Sequence, residues 1–320
     1  MSGLRRALVV PAAATALLVA ACGGESQTAT TAEDAALEVV AGFYPLQFVA
    51  EAVGGDRVAV TNLTQPGAEA HDLELAPRDV AQLAEADLVV HLAGFQPAVD
   101  DAVESEVEGA LEVSEAARLT PAYTPDEHSD EDEHADDEHA GGDADEGVTD
   151  PHFWLDPLRL ADVGEAVAGR LAELDPDGAD VYADNAASLR EELEALDEEL
   201  ASGLASCEVT DLVTAHNAFG YLAERYGFTQ VGISGLSPED EPDPRTIAEM
   251  AELVSERGVT TVYSEVLIDP AVARTVADEA GVRTAVLDPI EGITDESAGD
   301  DYVSVMRANL ETLQEGQSCA

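Results

Sequence analysis

The chain has 320 residues, room for two domains of ordinary size, and a hydrophobic fraction of 45%, which excludes global disorder. It carries 68 acidic against 14 basic residues, a formal charge of −54, and every basic residue is an arginine. Such a chain does not bind nucleic acid through a phosphate-neutralising face; it concentrates cations near its surface, less strongly as salt screens it, and the bulk of the charge reads as adaptation to salt or solubility.

Residues 1–21 read as a signal peptide. Arg5 and Arg6 form its basic start, and residues 7–20 an apolar stretch too short for a permanent span. It ends Leu18-Val19-Ala20-Ala21-Cys22, which resembles the lipobox of bacterial lipoproteins and implies cleavage before Cys22 and lipidation of its thiol; a secretory signal with a chance cysteine is the other reading. Residues 22–36, rich in Gly, Ser, Thr and Ala, read as a flexible tether. Setting Cys22 aside leaves Cys207 and Cys319. An even pair in an oxidising compartment suggests a disulfide, with two free buried thiols as the alternative.

Apolar runs at 37–42, 57–63, 88–91 and 111–113 read as strands, separated by helical patterns at 43–53, 78–86 and 97–108. This alternation implies βαβ units and a parallel sheet in a first lobe spanning 37–175. Within it, residues 124–148 have almost no large apolar side chain, are dense in Asp and Glu, and carry His128, His134 and His139; such a segment is expected to be disordered. Residues 150–157, Asp-Pro-His-Phe-Trp-Leu-Asp-Pro, follow as a proline-stiffened segment presenting His152. Asp156-Pro157 opens a helix as cap and first residue.

The segment 176–205 is expected to bridge two halves. Its helix, 179–204, carries Leu189, Leu193, Leu196, Leu200 and Leu204 on one stripe with acidic residues opposite, and would be roughly 40 Å long. In the second lobe, 206–320, strands are expected at 211–215, 229–234, 260–265 and 283–287, with helices at 219–226, 244–257, 270–280 and 301–315. The predicted fold class is therefore α/β: two parallel-sheet (β/α)4 lobes joined by a single long helix, with a site in the cleft between them.

In open parallel sheets ligands bind beyond the carboxyl ends of the strands. His71, His152, His216 and Asp288 all fall in such positions, where two facing lobes could converge on one point. Three imidazoles and one carboxylate suit a borderline divalent ion such as Zn2+. Glu265, also at a strand end, is either a hydrogen-bond partner of a ligand or an alternative oxygen ligand. His91 ends a strand in an apolar context and reads as a satisfied, partly buried histidine, while Asp156 and Asp243 read as helix caps.

The motifs Gly67-Ala68-Glu69-Ala70-His71, residues 150–157, Thr214-Ala215-His216-Asn217-Ala218-Phe219-Gly220-Tyr221-Leu222, Gly235-Leu236-Ser237-Pro238-Glu239 with Glu241-Pro242, and Leu287-Asp288-Pro289 together resemble the metal receptors of ABC transporters, specifically the zinc-uptake lipoproteins of the zinc/manganese family. The resemblance covers essentially all of the chain after the tether. It implies His71, His152, His216 and Asp288 as metal ligands, Zn2+ as transported ligand with Mn2+ as the alternative, and a monomer tethered outside the cytoplasmic membrane that hands its ion to a permease with an ATPase subunit. It also implies that Cys207 and Cys319 pair, as in part of the zinc branch, where an acidic histidine insertion at this place is a habit; the run with His128, His134 and His139 reads as an auxiliary metal collector, with a solvated linker carrying incidental histidines as the other reading. The manganese branch usually carries a carboxylate where His216 stands, and imidazole there favours the softer ion. Other readings are a surface adhesin or zinc buffer with the same site, and a secreted zinc hydrolase with Glu265 as general base. Against the hydrolase, the chain has neither a His-Glu-x-x-His helix nor a Gly-x-Ser-x-Gly elbow.

Overall fold

The computed structural model of this chain describes residues 35–120, 149–238 and 242–320. The expected signal peptide, Cys22, nearly all of the tether, and the acidic run with His128, His134 and His139 lie outside those residues, as do Glu239 and Glu241.

Strands β1 (Leu37–Ala41), β2 (Val58–Asn62), β3 (Leu88–His91) and β4 (Leu111–Glu112) form one sheet in the order β2-β1-β3-β4. Strands β5 (Asp211–Thr214), β6 (Thr229–Gly232), β7 (Thr261–Ser264) and β8 (Arg283–Val286) form a second in the order β6-β5-β7-β8. Every pairing is parallel. The halves thus share one topology without a visible sequence repeat.

Side-chain alternation along the strands explains how each sheet is covered. Val40 and Val89 face outward onto helices α2 (Pro77–Glu85) and α3 (Pro97–Glu106), where Leu83, Val99 and Ala102 bury them. Their neighbours Val39, Ala41, Leu88 and Val90 point the other way, into a larger core. The second sheet repeats the pattern. Val213 and Val262 pack against Val254 of α8 (Pro244–Glu256) and Val276 of α9 (Ala271–Ala280), while Leu212 and Tyr263 enter the larger core.

That larger core runs unbroken from one lobe to the other. Helices α1 (Tyr44–Gly54), α5 (Pro157–Leu174), α6 (Ala179–Leu204), α7 (Gly220–Tyr226) and α10 (Tyr302–Gly316) all contribute to it. The predicted leucine stripe of α6 is buried along its whole length. At 26 residues, α6 is about 39 Å long; it packs against α1 and α5 on the first lobe and α7 and α10 on the second. Separating the lobes would expose side chains such as Trp154 and Tyr302, which are fully buried, so the shared core opposes wide opening.

The expected strands and long helices are observed with ends trimmed or shifted by a few residues. A short helix, α4 (Ser114–Ala117), escaped the sequence reading because one turn has no periodicity to detect. Asp156 caps α5 by accepting from Leu158 N, and Asp243 caps α8 by accepting from Arg245 N and Thr246 N. Cys207 and Cys319 form a disulfide, tying the end of α6 to the end of α10 across a sequence separation of 112.

Candidate metal centre

The carboxyl ends of both sheets face the cleft, so the loops that leave them meet there. His71 lies in the loop after β2, His152 follows β4, His216 stands two residues past β5, and Glu291 follows β8. The Nε2 atoms of His71, His152 and His216 each lie 3.5 Å from Glu291 Oε1. All four donor atoms fall within 4.8 Å of one another.

Three of the four side chains are almost wholly buried; His71 is the most accessible. Each loop has a device that fixes its ligand. The loop of His71 is turned by Glu69, whose carboxylate accepts from His71 N (3.0 Å) and Asp72 N (2.8 Å). Buried Gln96 steadies the same loop by donating to Ala70 O and Thr64 Oγ1. The His71 ring packs edge-on against Phe95, with centroids 4.5 Å apart. His152 has its Nδ1 2.8 Å from Asp150 Oδ1, which also accepts from the His152 backbone N–H. Trp154 packs 5.3 Å from the His152 ring and donates from Nε1 to Pro289 O. His216 Nδ1 lies 2.8 Å from Oε1 and 2.7 Å from Oε2 of Glu265. A carboxylate that accepts the Nδ1–H fixes the tautomer and leaves the Nε2 lone pair facing the centre, the usual way a protein orients a metal-binding imidazole.

Two of the convergent atoms, His216 Nε2 and Glu291 Oε1, are buried without a hydrogen-bond partner. Leaving such groups unmatched is unfavourable by ~1–3 kcal/mol each, and a cation between them would satisfy both. Burial opposes a charge on His216, but Glu265 and Glu291 outweigh it and hold the imidazole up to about 10. His152 is raised by a similar balance: burial opposes it, while Asp150 and Glu291 favour the charged ring. Glu291 is held well below the usual carboxylate range, because the three imidazoles overcome its burial.

Of the sequence-predicted ligands, the structure brings His71, His152 and His216 together and does not bring Asp288 with them. The carboxylate in the convergent group is Glu291, three residues further on. Asp288 Oδ1 instead accepts from Ile290 N at 2.8 Å, which commits that oxygen to the local turn. Leu287-Asp288-Pro289-Ile290-Glu291 puts two acidic residues in one loop, and linear order favours the one nearer the strand; only the turn reverses that choice. Glu265 is the hydrogen-bond partner of His216 rather than a member of the group. His91 lies outside the group and is buried, but its Nδ1, 3.4 Å from Asp100 Oδ1, makes no hydrogen bond, so the expected satisfied histidine is not what the structure shows.

The chain matches the family model described as zinc-uptake complex component A, periplasmic, over residues 39–316. It is 34% identical over 306 residues to the zinc-binding lipoprotein AdcA of Streptococcus pneumoniae, covering 94% of this chain but only 58% of AdcA. It therefore spans little more than half the length of that relative. With the high-affinity zinc uptake system protein ZnuA of Bacillus subtilis it shares 32% identity over 307 residues, 95% of each chain. Among solved structures, the Zn(II)-bound ZnuA-like domain of S. pneumoniae AdcA superposes with a TM-score of 0.71 at 33% identity, covering 88% of this chain and 98% of that one. The laminin-binding protein Lmb of Streptococcus agalactiae, described as having adhesin and metal-transporting activity, gives 0.75 at 30% identity, covering 88% and 99%. With the family match running through both sheets and the helix that bridges them, the chain belongs to the zinc-uptake complex component A family.

Proposed function

We propose that this protein is an extracytoplasmic zinc receptor: it takes Zn2+ as cargo into the cleft between its lobes and delivers it to an ABC permease driven by an ATPase. The observation that carries the reading is the convergence of three imidazole Nε2 atoms on one buried carboxylate oxygen. Three nitrogens and one oxygen fit a tetrahedral borderline ion better than Mn2+, which favours more oxygen ligands. In this reading His71, His152, His216 and Glu291 hold the ion, and Asp150 and Glu265 orient two of the imidazoles. Residues 37–175 and 206–320 are the two lobes and 176–205 their bridge. Cys22 carries the lipid that keeps the monomer on the outer face of the cytoplasmic membrane. The zinc-binding and zinc-uptake names of the relatives support the choice of cargo.

The same geometry favours a receptor over a hydrolase. A zinc hydrolase keeps one coordination position for water and needs a free base beside it. Here four protein donors surround the centre, and the carboxylate expected to act as base, Glu265, is engaged by His216 Nδ1.

Metal analysis of protein purified without added metal tests the cargo: zinc near one equivalent is expected, and manganese alone would overturn the assignment. Replacing His216 with Ala should weaken zinc binding by more than the ~10–100-fold typical of losing an outer hydrogen bond, whereas His91→Ala should leave it unchanged. Equal effects of the two would refute the ligand set.

A further inference from the structure

Glu291 is presented by a short turn with an unusual backbone. Ile290, just before it, has φ of 58°, in the left-handed region that a β-branched residue rarely adopts. Ile290 is fully buried, so the conformation is held from around it. Asp288 Oδ1 accepts from Ile290 N at 2.8 Å, closing an Asx turn over Pro289. Asn309 of α10 grips Asp288 on both sides: its Oδ1 accepts from Asp288 N (2.9 Å) and its Nδ2 donates to Asp288 O (2.7 Å). Pro289 O accepts from Trp154 Nε1 at 2.7 Å, and Trp154 O accepts from Tyr302 Oη at 2.5 Å. The turn that carries Glu291 is thereby joined to the segment that carries His152, across the two lobes.

A residue in the left-handed region redirects the chain after it. If Ile290 relaxed to extended backbone, Glu291 would leave by another path, and its Oε1 would lose the position 3.5 Å from all three Nε2 atoms. The hydrogen bond from Ile290 N to Asp288 is the contact that bears directly on that dihedral. Resting on the zinc-site reading above, we propose that Asp288 is a positioning residue for Glu291: by accepting the Ile290 N–H it holds the left-handed backbone that aims Glu291 at the imidazoles, and so sets zinc affinity without touching the ion.

The test is a Zn2+ titration of the metal-stripped full chain against a chromophoric chelator. Asp288→Ala removes the acceptor and should weaken binding by ~10–100-fold. Asp288→Asn keeps the oxygen that Ile290 needs, and should bind within about threefold of the parent, since Asn and Asp both close Asx turns. In the Asp288→Ala background, Ile290→Gly should recover part of the loss, because glycine enters the left-handed region without a steric penalty. A merely structural defect would be deepened by that second change. Asp288→Asn losing as much as Asp288→Ala would overturn the inference, since a ligand's charge would then be what matters; so would Asp288→Ala binding like the parent. Glu291→Ala in the same titration separates the two failures. If it binds like the parent, the zinc-site reading itself falls; if it loses affinity while Asp288→Ala does not, only the positioning role falls.

Discussion

If His216 holds the ion as proposed, zinc and protons compete for its Nε2, and the surroundings of that ring set how strongly. Its Nδ1–H donates to Glu265, so a second proton must sit on Nε2, facing Glu291 Oε1 at 3.5 Å. Burial resists the resulting charge, yet the two carboxylates hold the imidazole up to about 10, against 6.5 for an unperturbed histidine. Below that pH the metal-free site carries the proton, and an imidazole must be neutral to bind a metal. At pH 7 the proton therefore weakens zinc binding by about a thousandfold relative to the deprotonated site, a factor of about ten for each unit below 10. The apparent association constant should rise roughly tenfold per pH unit between about pH 6.5 and 8.5. Titration calorimetry in buffers of different ionisation enthalpy should count at least one proton released per zinc. Glu265→Gln removes a charge that sustains the high value and should flatten the slope. In the metal-free protein the raised His216 contributes stability that is complete below pH 6.5 and lost as pH rises through about 10; the stripped protein should therefore lose that contribution progressively across this window. An association constant that stays flat over this range, or zinc binding without proton release, would refute the reasoning.

Two further outcomes are expected. Replacing Cys207 and Cys319 together with Ser opens a loop whose ends are separated by 112 residues, and loop entropy puts the loss at roughly 4–5 kcal/mol in a urea melt; an unchanged midpoint would mean the unfolded chain is already constrained. If the acidic run collects metal, deleting residues 126–146 should slow zinc capture at low salt and impair growth under zinc limitation while leaving the equilibrium affinity of the cleft intact, because the deletion removes none of the four convergent side chains. Unchanged uptake and growth would sink the collecting role.

How legible the fold was depended on the kind of signal each residue carries. Strand and helix positions follow from local hydrophobic period: Val39 and Val40 face opposite sides of a sheet whatever lies beyond them, and the leucines of α6 make one stripe in any helix. Three of the four convergent donors were legible for a related reason. Histidines are few, and His71, His152 and His216 stand in connections that leave strands β2, β4 and β5, which a parallel sheet delivers to one rim. Carboxylates are the opposite case. Among 68 acidic residues, type carries little information, and Asp150, Glu265, Asp288 and Glu291 are distinguished only by where each points.

The sequence by itself determined an α/β chain in two parallel-sheet lobes with a bridging helix, and three imidazoles gathered at one rim, because hydrophobic period and strand-end position are properties of the chain read locally. Which carboxylate completes the centre was decided only by the tertiary structure. Asn309 reaches Asp288 from 21 residues away and Trp154 reaches Pro289 from 135, and together with the Asx turn they frame a backbone in which Asp288 Oδ1 is engaged by Ile290 N and Glu291 faces the histidines. Contacts at that separation in sequence leave no periodic or compositional trace, so the fourth donor became visible only once both lobes had closed on one core.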